Sequence, residues 1–309
     1  MIVIGSRGSQ LALWQANHIA ACLAELGVET RLEIIKTTGD KIQDVPLAKV
    51  GGKGLFTKEI EEALIDRSID LAVHSMKDVP TELPDGLIIS AIPEREEPRD
   101  ALIGCTIAEL RDGTRIGTSS LRRSSQLLAY NPKLEIHMLR GNVDTRLRKQ
   151  EEGQFDAIVL AAAGLRRLGW QDRIAELIPI DIMCPAVGQG ALAIETRNDG
   201  RLAQEIVRKL DHPATQAAVV AERALLAMLG GGCQVPVGSH AQWVQGENGR
   251  QLHLIGLVAE PDGSRIIRAE LSGTDPFLIG STLGRTLLAQ GADQILRRVY
   301  NNANAEQGE

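Results

Sequence analysis

Basic side chains recur where strand-like runs give way to glycine- and serine-containing loops: Arg7 in GSRGS, Lys49 and Lys53 in AKVGGKG, Lys77 in HSMKD, Arg122 and Arg123 in GTSSLRR. Arg140 and Arg146 in LRGNVDTR, with Arg166 and Arg167 in AGLRRLG, continue the series. Any one of them alone is an ordinary solvated cation. Together they are a local exception, because the 34 Lys and Arg of the chain are outnumbered by 40 Asp and Glu, for a net charge of −6. Such a set suits a ligand with several carboxylates or phosphates, and the predominance of Arg favours planar, bidentate pairing with carboxylate. Asp78 follows Lys77 just after the apolar run IDLAV. One anion among cations serves a structural ion pair, a cap, or the handling of a cationic intermediate.

A second chemical feature is LGGGCQVPVG at 229–238, where Cys233 follows three glycines. Such a run costs backbone entropy and buries nothing, which fits a loop that makes the thiol approachable or a flexible turn with an incidental cysteine. The other cysteines, Cys22, Cys105 and Cys184, lie far apart with no CxxC and no histidines at ligand spacing, so neither a metal site nor a disulfide framework is expected. GxSxG is absent, and His74, a step before Lys77, is the one histidine close to the candidate cations. GGKGLFTK lacks the spacing of a phosphate-binding loop, and GQGALA imitates a dinucleotide fingerprint but leads into a strand-like run. With 3% aromatic residues and a net negative charge, nucleic-acid binding is not expected. The opening MIVIGSRGS lacks the features of a signal peptide and no apolar run approaches a membrane span, which points to a cytoplasmic chain.

Length sets the number of bodies that must position these groups: 309 residues suit two or three domains. Strand and helix patterns alternate from IVI through a helix bearing Leu11, Trp14, Gln15, Ile19, Cys22, Leu23 and Leu26 on one side, then LEIIK, LFTKEIEEALI and IDLAV. Cys22 is thereby expected in the core. This is the grammar of a mostly parallel sheet. PEREEPRD (93–100) interrupts it with two prolines and dense charge, as a hinge would. A second series follows in TRIGTSS, LEIHML and FDAIVLAAAG, and CPAVGQGALAIE reads as the return path. From Gly232 onward, VPVGSHAQWV, QLHLIGLVAE and SRIIRAELSG, separated by NG and PDG, predict an antiparallel meander closed by helices at 277–290 and 293–300. The expected division is 1–94 with 191–211, then 98–186, then 214–309. In α/β sheets of this kind, ligands bind beyond the carboxyl ends of the strands, where the cations gather.

Taken in order, SRGSQLALWQ, LAKVGGKGLFTKE, DLAVHSMKDVP, GTSSLRR, LRGNVDTRL, AAAGLRRLG, PAVGQGAL and LGGGCQVPVG resemble the porphobilinogen deaminase (hydroxymethylbilane synthase) family over nearly the whole chain. The resemblance implies two α/β domains like those of periplasmic binding proteins flanking a cleft, plus a smaller α+β domain with a three-stranded antiparallel sheet. It implies a dipyrromethane cofactor joined by a thioether to Cys233, serving as primer while four porphobilinogen units are added with loss of ammonia and hydroxymethylbilane is released by water. Asp78 takes the family's catalytic position, assisting loss of ammonia and stabilising the resulting azafulvenium. By the same transfer, Lys77, Ser119, Arg122, Arg123, Arg146 and Gln189 hold the cofactor, and Arg7, Ser9, Gln15, Lys53, Phe56, Arg140 and Arg167 serve the substrate. Gln10 and Asp144 depart from residues common in the family. A monomer is expected. The competing reading is a two-lobed anion-binding protein without catalysis, which leaves GGGC unexplained; nucleotide or phosphoryl transfer is disfavoured by the missing phosphate-loop spacing.

Overall fold

The computed structural model describes residues 1–41, 56–231, 235–246 and 249–305. The first sheet contains β1 (Ile2–Ser6), β2 (Thr30–Ile34), β3 (Leu71–Ser75), β4 (Leu87–Ala91) and, from far along the chain, β10 (Leu192–Arg197), in the order β2-β1-β3-β10-β4. The second contains β5 (Asp100–Ile103), β6 (Arg115–Gly117), β7 (Glu135–His137), β8 (Ala157–Ala161) and β9 (Glu176–Leu177), in the order β7-β6-β8-β5-β9. β11 (Val237–Gly246), β12 (Gly249–Ala259) and β13 (Ile266–Gly273) form the antiparallel third sheet.

The central parallel strands β3 and β8 are near-continuous buried runs, because helices cover both faces of such sheets, whereas the edge strands β2 and β7 are partly exposed. Leu71, Ala72, Val73 and Ile158, Val159, Leu160 are buried in sequence rather than alternately. The covering helices of the first two sheets are α1 (Gln10–Glu25), α2 (Lys58–Ile65), α3 (Leu121–Tyr130), α4 (Val143–Glu151), α5 (Ala162–Arg167) and α6 (Leu202–Val207). α7 (Pro213–Met228), α8 (Pro276–Leu287) and α9 (Asp293–Ala305) share a core with the third sheet through Leu225, Leu254, Leu283 and Ile295. Both sheets are mostly parallel, as their grammar predicts, and each contains one reversed strand: β10 runs antiparallel to β3 and β4, and β5 to β8 and β9. These are the strands reached after the chain crosses between sheets, along 92–99 outward and 178–191 on the return. The two crossings touch, with Glu96 N–H donating to the Gly190 carbonyl at 3.1 Å.

α1 departs from its expected buried face. Ala12, Gln15, Ala16, Ile19 and Leu23 are buried, whereas Cys22 is half-buried and Trp14 and Leu26 are exposed. The small residues Ala12 and Ala16 pull the contact line toward themselves by permitting close approach to the sheet. Trp14 instead stacks on His18, with centroids 5.1 Å apart.

Candidate active site

Parallel strands deliver their carboxyl ends to one edge, and the candidate residues follow those ends. β1 leads to Arg7, β3 to Lys77 and Asp78, β6 to Ser119, Arg122 and Arg123, β7 to Arg140, and β8 through α5 to Arg167. Each lies within a few residues of its strand, so the sheets fix their origins while loops set their reach. Lys53 and Cys233 lie outside the described residues.

Arg122 and Arg123 open α3 and are buried, at 4% and 6% exposure, which a lone guanidinium would not tolerate. Their counter-ion is Asp100, wholly buried at the start of β5. Arg122 donates from Nη1 to Asp100 Oδ2 at 2.7 Å, and Arg123 from Nε and Nη2 to Oδ1 at 3.0 and 2.8 Å. Gln189 Nε2 adds a bond to Oδ1 at 3.0 Å. Burial opposes ionisation of Asp100, but the two guanidiniums outweigh it and hold the carboxyl well below its ordinary range. Two cations on one anion leave the cluster net positive. Arg122 Nη1 also donates to the Cys184 carbonyl at 2.8 Å and Arg123 Nη1 to that of Val159 at 3.0 Å, which fixes both rotamers.

Lys77 and Asp78 share a single short helical turn after β3, with Lys77 half-buried and Asp78 exposed. Burial pushes the Lys77 amine down to about 8, opposed by the charge of Asp78 and reinforced by Arg123. Arg146 is pushed down to about 10 by burial and by the neighbouring charges of Arg123 and Arg140, with Asp78 opposing. These mutual influences place Asp78, Lys77, Arg123, Arg140 and Arg146 in one electrostatic neighbourhood across the two sheets. Arg146 Nε donates to the Gly141 carbonyl at 2.7 Å, whereas the buried Arg140 Nε has no hydrogen-bond partner.

The remaining candidates divide between ligand-facing and scaffolding positions. Arg7 stacks over the Phe56 ring at 4.2 Å. Arg167, 8% exposed, donates to the Gly190 carbonyl at 2.6 Å and lies 5.9 Å from the Trp14 ring, bridging α5 and α1. Burial pushes it down to about 10, with Glu96 opposing. Ser9 caps α1 by accepting from Ala12 N–H at 3.3 Å, and Gln15 donates to Ser75 Oγ at 2.9 Å just before the Lys77–Asp78 turn. Ser119 exchanges hydrogen bonds with both backbone groups of Leu139, tying the loop after β6 to the residue before Arg140. His74 is buried and bonded to Glu195 at 3.0 Å, inside the first sheet.

The glycine run is partly explained by the end of α7. Gly230 N–H donates to Ala227 and Gly231 N–H to Leu226, with Gly230 at φ 95°, a left-handed helix termination that glycine favours. Gly231, at φ 71°, lies so close to the loop after Asp78 that a Cβ there would stand 2.6 Å from Thr81 Oγ1. Gly231, two residues before Cys233 in the sequence, is thus pressed against the segment that follows the candidate carboxylate.

Four residues of this arrangement escaped the sequence analysis: Asp100, Arg95, Glu222 and Arg223. Glu222, wholly buried in α7, accepts from Arg95 Nη1 at 2.6 Å, Gly188 N–H at 2.7 Å and Ala241 N–H at 2.8 Å, joining both crossings to the third sheet. A signal existed in VVAERALLAML, where a charged pair interrupts an apolar run.

The fold and site define a two-lobed α/β protein with a cluster of cations at the parallel-sheet edges and a C-terminal three-stranded sheet fastened to the crossings. A family profile described as porphobilinogen deaminase, dipyrromethane cofactor binding domain, matches residues 2–205, and one described as porphobilinogen deaminase, C-terminal domain, matches 216–289. The chain belongs to the porphobilinogen deaminase family. Relatives of that name include those of Geobacter sulfurreducens, 53% identical over 96% of this chain and 94% of the relative, and Syntrophobacter fumaroxidans, 53% identical over 97% and 98%. That of Nitratidesulfovibrio vulgaris (strain Hildenborough) is 54% identical over 99% and 98%. Among solved structures, a periplasmic substrate-binding protein of an ABC transporter from Coxiella burnetii aligns at TM-score 0.42 and 13% identity over 70% of this chain and 94% of its own.

A dipyrromethane carries several carboxylates on two linked pyrroles, and the residues present fit it. Lys77, Arg140 and Arg146 supply cations beside the net-positive Arg122–Arg123–Asp100 cluster, Arg140 Nε is an unused buried donor, and Asp78 presents an exposed carboxylate.

Proposed function

We propose that this chain joins four porphobilinogen molecules head to tail, with release of ammonia, onto a dipyrromethane primer anchored at Cys233, and frees hydroxymethylbilane by hydrolysis. The observation that carries the residue assignment is the contact of Gly231, two residues before Cys233, with Thr81, three residues after Asp78. An anion binder without catalysis accounts for the cations but gives no reason for that contact.

When bound, the primer supplies the pyrrole carbon to which each new unit is joined. Asp78 accepts hydrogen bonds from pyrrole N–H groups, assists departure of ammonia from the substrate, and stabilises the positive charge left behind. Lys77, Arg140 and Arg146 pair with acetate and propionate groups. Arg122 and Arg123 orient the site through Asp100 and offer their remaining N–H groups to primer carboxylates, while the buried Gln189, whose Nε2 is taken up by Asp100 Oδ1 and the Pro98 carbonyl, braces Asp100 from behind. Arg7 on Phe56, with Lys53, receives the substrate, and Arg167 holds the return crossing beside α1. Ser9, Gln15 and Ser119 fix the loops that carry these groups.

The thiols within the described residues support a tether elsewhere. Burial pushes the Cys184 thiol up to about 12, and Cys105 and Cys22 are raised by the same cause, all opposite to what a nucleophilic thiolate needs. The reading extends to a cytoplasmic monomer acting on a small-molecule substrate; no helix among the described residues is long and apolar enough to cross a membrane. Asp78→Asn is the test. It is expected to retain the Cys233 adduct and bind porphobilinogen while ammonia release falls about 100-fold or more. Turnover near that of the unaltered protein would remove Asp78 from the chemistry.

A further inference from the structure

Arg223 lies in α7, eight residues before Gly231 on the helix that leads to the cysteine loop. Its guanidinium leaves its own helix to grip the chain directly after Asp78. Nη1 donates to the Val79 carbonyl at 3.0 Å, and Nη2 donates to the carbonyls of Pro80 at 2.7 Å and Thr81 at 3.3 Å. Nη1 also rests 3.8 Å from Met76 Sδ, on the near side of the same turn. One side chain therefore brackets Asp78 from both flanks. Asp78 itself is exposed, and its turn has no side-chain cap, so little within the turn fixes where the carboxylate stands.

The planar fork reaches three consecutive carbonyls from two separate nitrogens, whereas an ammonium offers its donors from a single atom. The adjacent Glu222 ties the same helix turn to the two crossings through Arg95 and Gly188 N–H. α7 thus joins the two crossings to the Asp78 loop, and the chain described beyond it ends at Gly231, two residues before Cys233. We propose that Arg223 is a positioning residue for the condensation reaction, holding the Asp78 loop in register with the Cys233 tether through the Val79, Pro80 and Thr81 carbonyls. Arg223 touches neither substrate nor primer in this scheme; it sets the distance between the carboxylate and the growing end. The inference rests on the function proposed above.

The experiment compares Arg223→Gln with Arg197→Gln. Arg197 makes a similar but remote clasp, donating from Nη1 to the carbonyls of Leu64 and Ile69 at 2.7 and 2.6 Å on the first sheet. Both changes remove a guanidinium from backbone carbonyls, so both are expected to lower thermal stability. Steady-state rates are normalised to the fraction of protein carrying the primer, read by intact mass. Arg223→Gln is expected to lose about 10-fold to 100-fold in kcat, as a misplaced reacting group does, with KM for porphobilinogen within about twofold. Arg197→Gln is expected to keep kcat per loaded enzyme. Arg223→Lys, which retains charge but not the fork, is expected to fall between Arg223→Gln and the unaltered protein, and it carries the test should Arg223→Gln be isolated without primer. Normal kcat per loaded enzyme in the Arg223 variants, alongside lowered stability, overturns the proposal by making Arg223 merely structural. A rise in KM with kcat unchanged overturns it as well. Absence of primer from the unaltered protein would instead refute the function proposed above.

Discussion

Asp100→Asn removes one charge and almost no volume, so its cost isolates the electrostatics of the buried cluster. In the unaltered protein, Oδ2 accepts from Arg122 Nη1 at 2.7 Å, while Oδ1 accepts from Arg123 Nε and Nη2 and from Gln189 Nε2 at 3.0, 2.8 and 3.0 Å. An asparagine oxygen at the Oδ1 position keeps the larger set but turns an NH2 group toward Arg122; the opposite orientation sets NH2 against Arg123 and Gln189. Either way, two guanidiniums with side chains 5% and 7% exposed lose their counter-ion. Removing one partner of such a buried pair costs about 3–5 kcal/mol, the scale of one contact charge pair at intermediate dielectric. Urea denaturation of the two proteins gives the difference directly. The pH dependence adds a second check with a fixed sign. The folded-state pKa of Asp100 is depressed, so its contribution is present above the ordinary carboxyl value of 3.8 and is lost as pH falls below it. The difference between the two proteins should therefore be equal at pH 7 and pH 5. A loss under about 1 kcal/mol, or a difference that shrinks between those pH values, would refute the description of Asp100 as the ionised hub of the second lobe.

Lys77 supplies a contrast of opposite sign. In the primer-free chain its ammonium is shed near pH 8 instead of 10.5, so attachment of the primer to the apoprotein is expected to slow on the alkaline side, and Lys77→Arg, charged throughout, is expected to flatten that limb. An unchanged limb would remove Lys77 from carboxylate binding. For stability, the unfolded chain binds the extra proton between about 8 and 10.5, so the contribution of Lys77, measured against Lys77→Met by urea denaturation, should rise with pH across that window. Asp78→Asn, at an exposed position, is expected to keep its denaturation midpoint while losing ammonia release.

The alternation of strand and helix patterns revealed the two α/β lobes, and the NG and PDG signals the meander, because those rules act within a few residues. Strand direction was not legible. DALI and LAIETR are buried strands like their parallel neighbours, and periodicity does not report that each follows a crossing and runs backward. The cations are legible at the strand ends, yet their partners are not: Asp100 precedes Arg122 by 22 positions and closes PEREEPRD, whose local pattern is that of hinge charge. Arg95 of that segment is likewise internal, bonded to Glu222 across 127 positions. Locally, the glycine run fits reach for a thiol or a flexible turn equally. Gly230 ends a helix and Gly231 makes room for Thr81, a contact between segments that no local pattern contains.

The account turns on a covalent primer at one thiol, and the mass of the freshly purified, intact protein tests it most directly. The expected result is a mass above that of the sequence by one dipyrromethane, absent from Cys233→Ser, with further stepwise increments when porphobilinogen is added to the unaltered protein. Active protein with an unmodified mass, or an adduct that persists in Cys233→Ser, would contradict it.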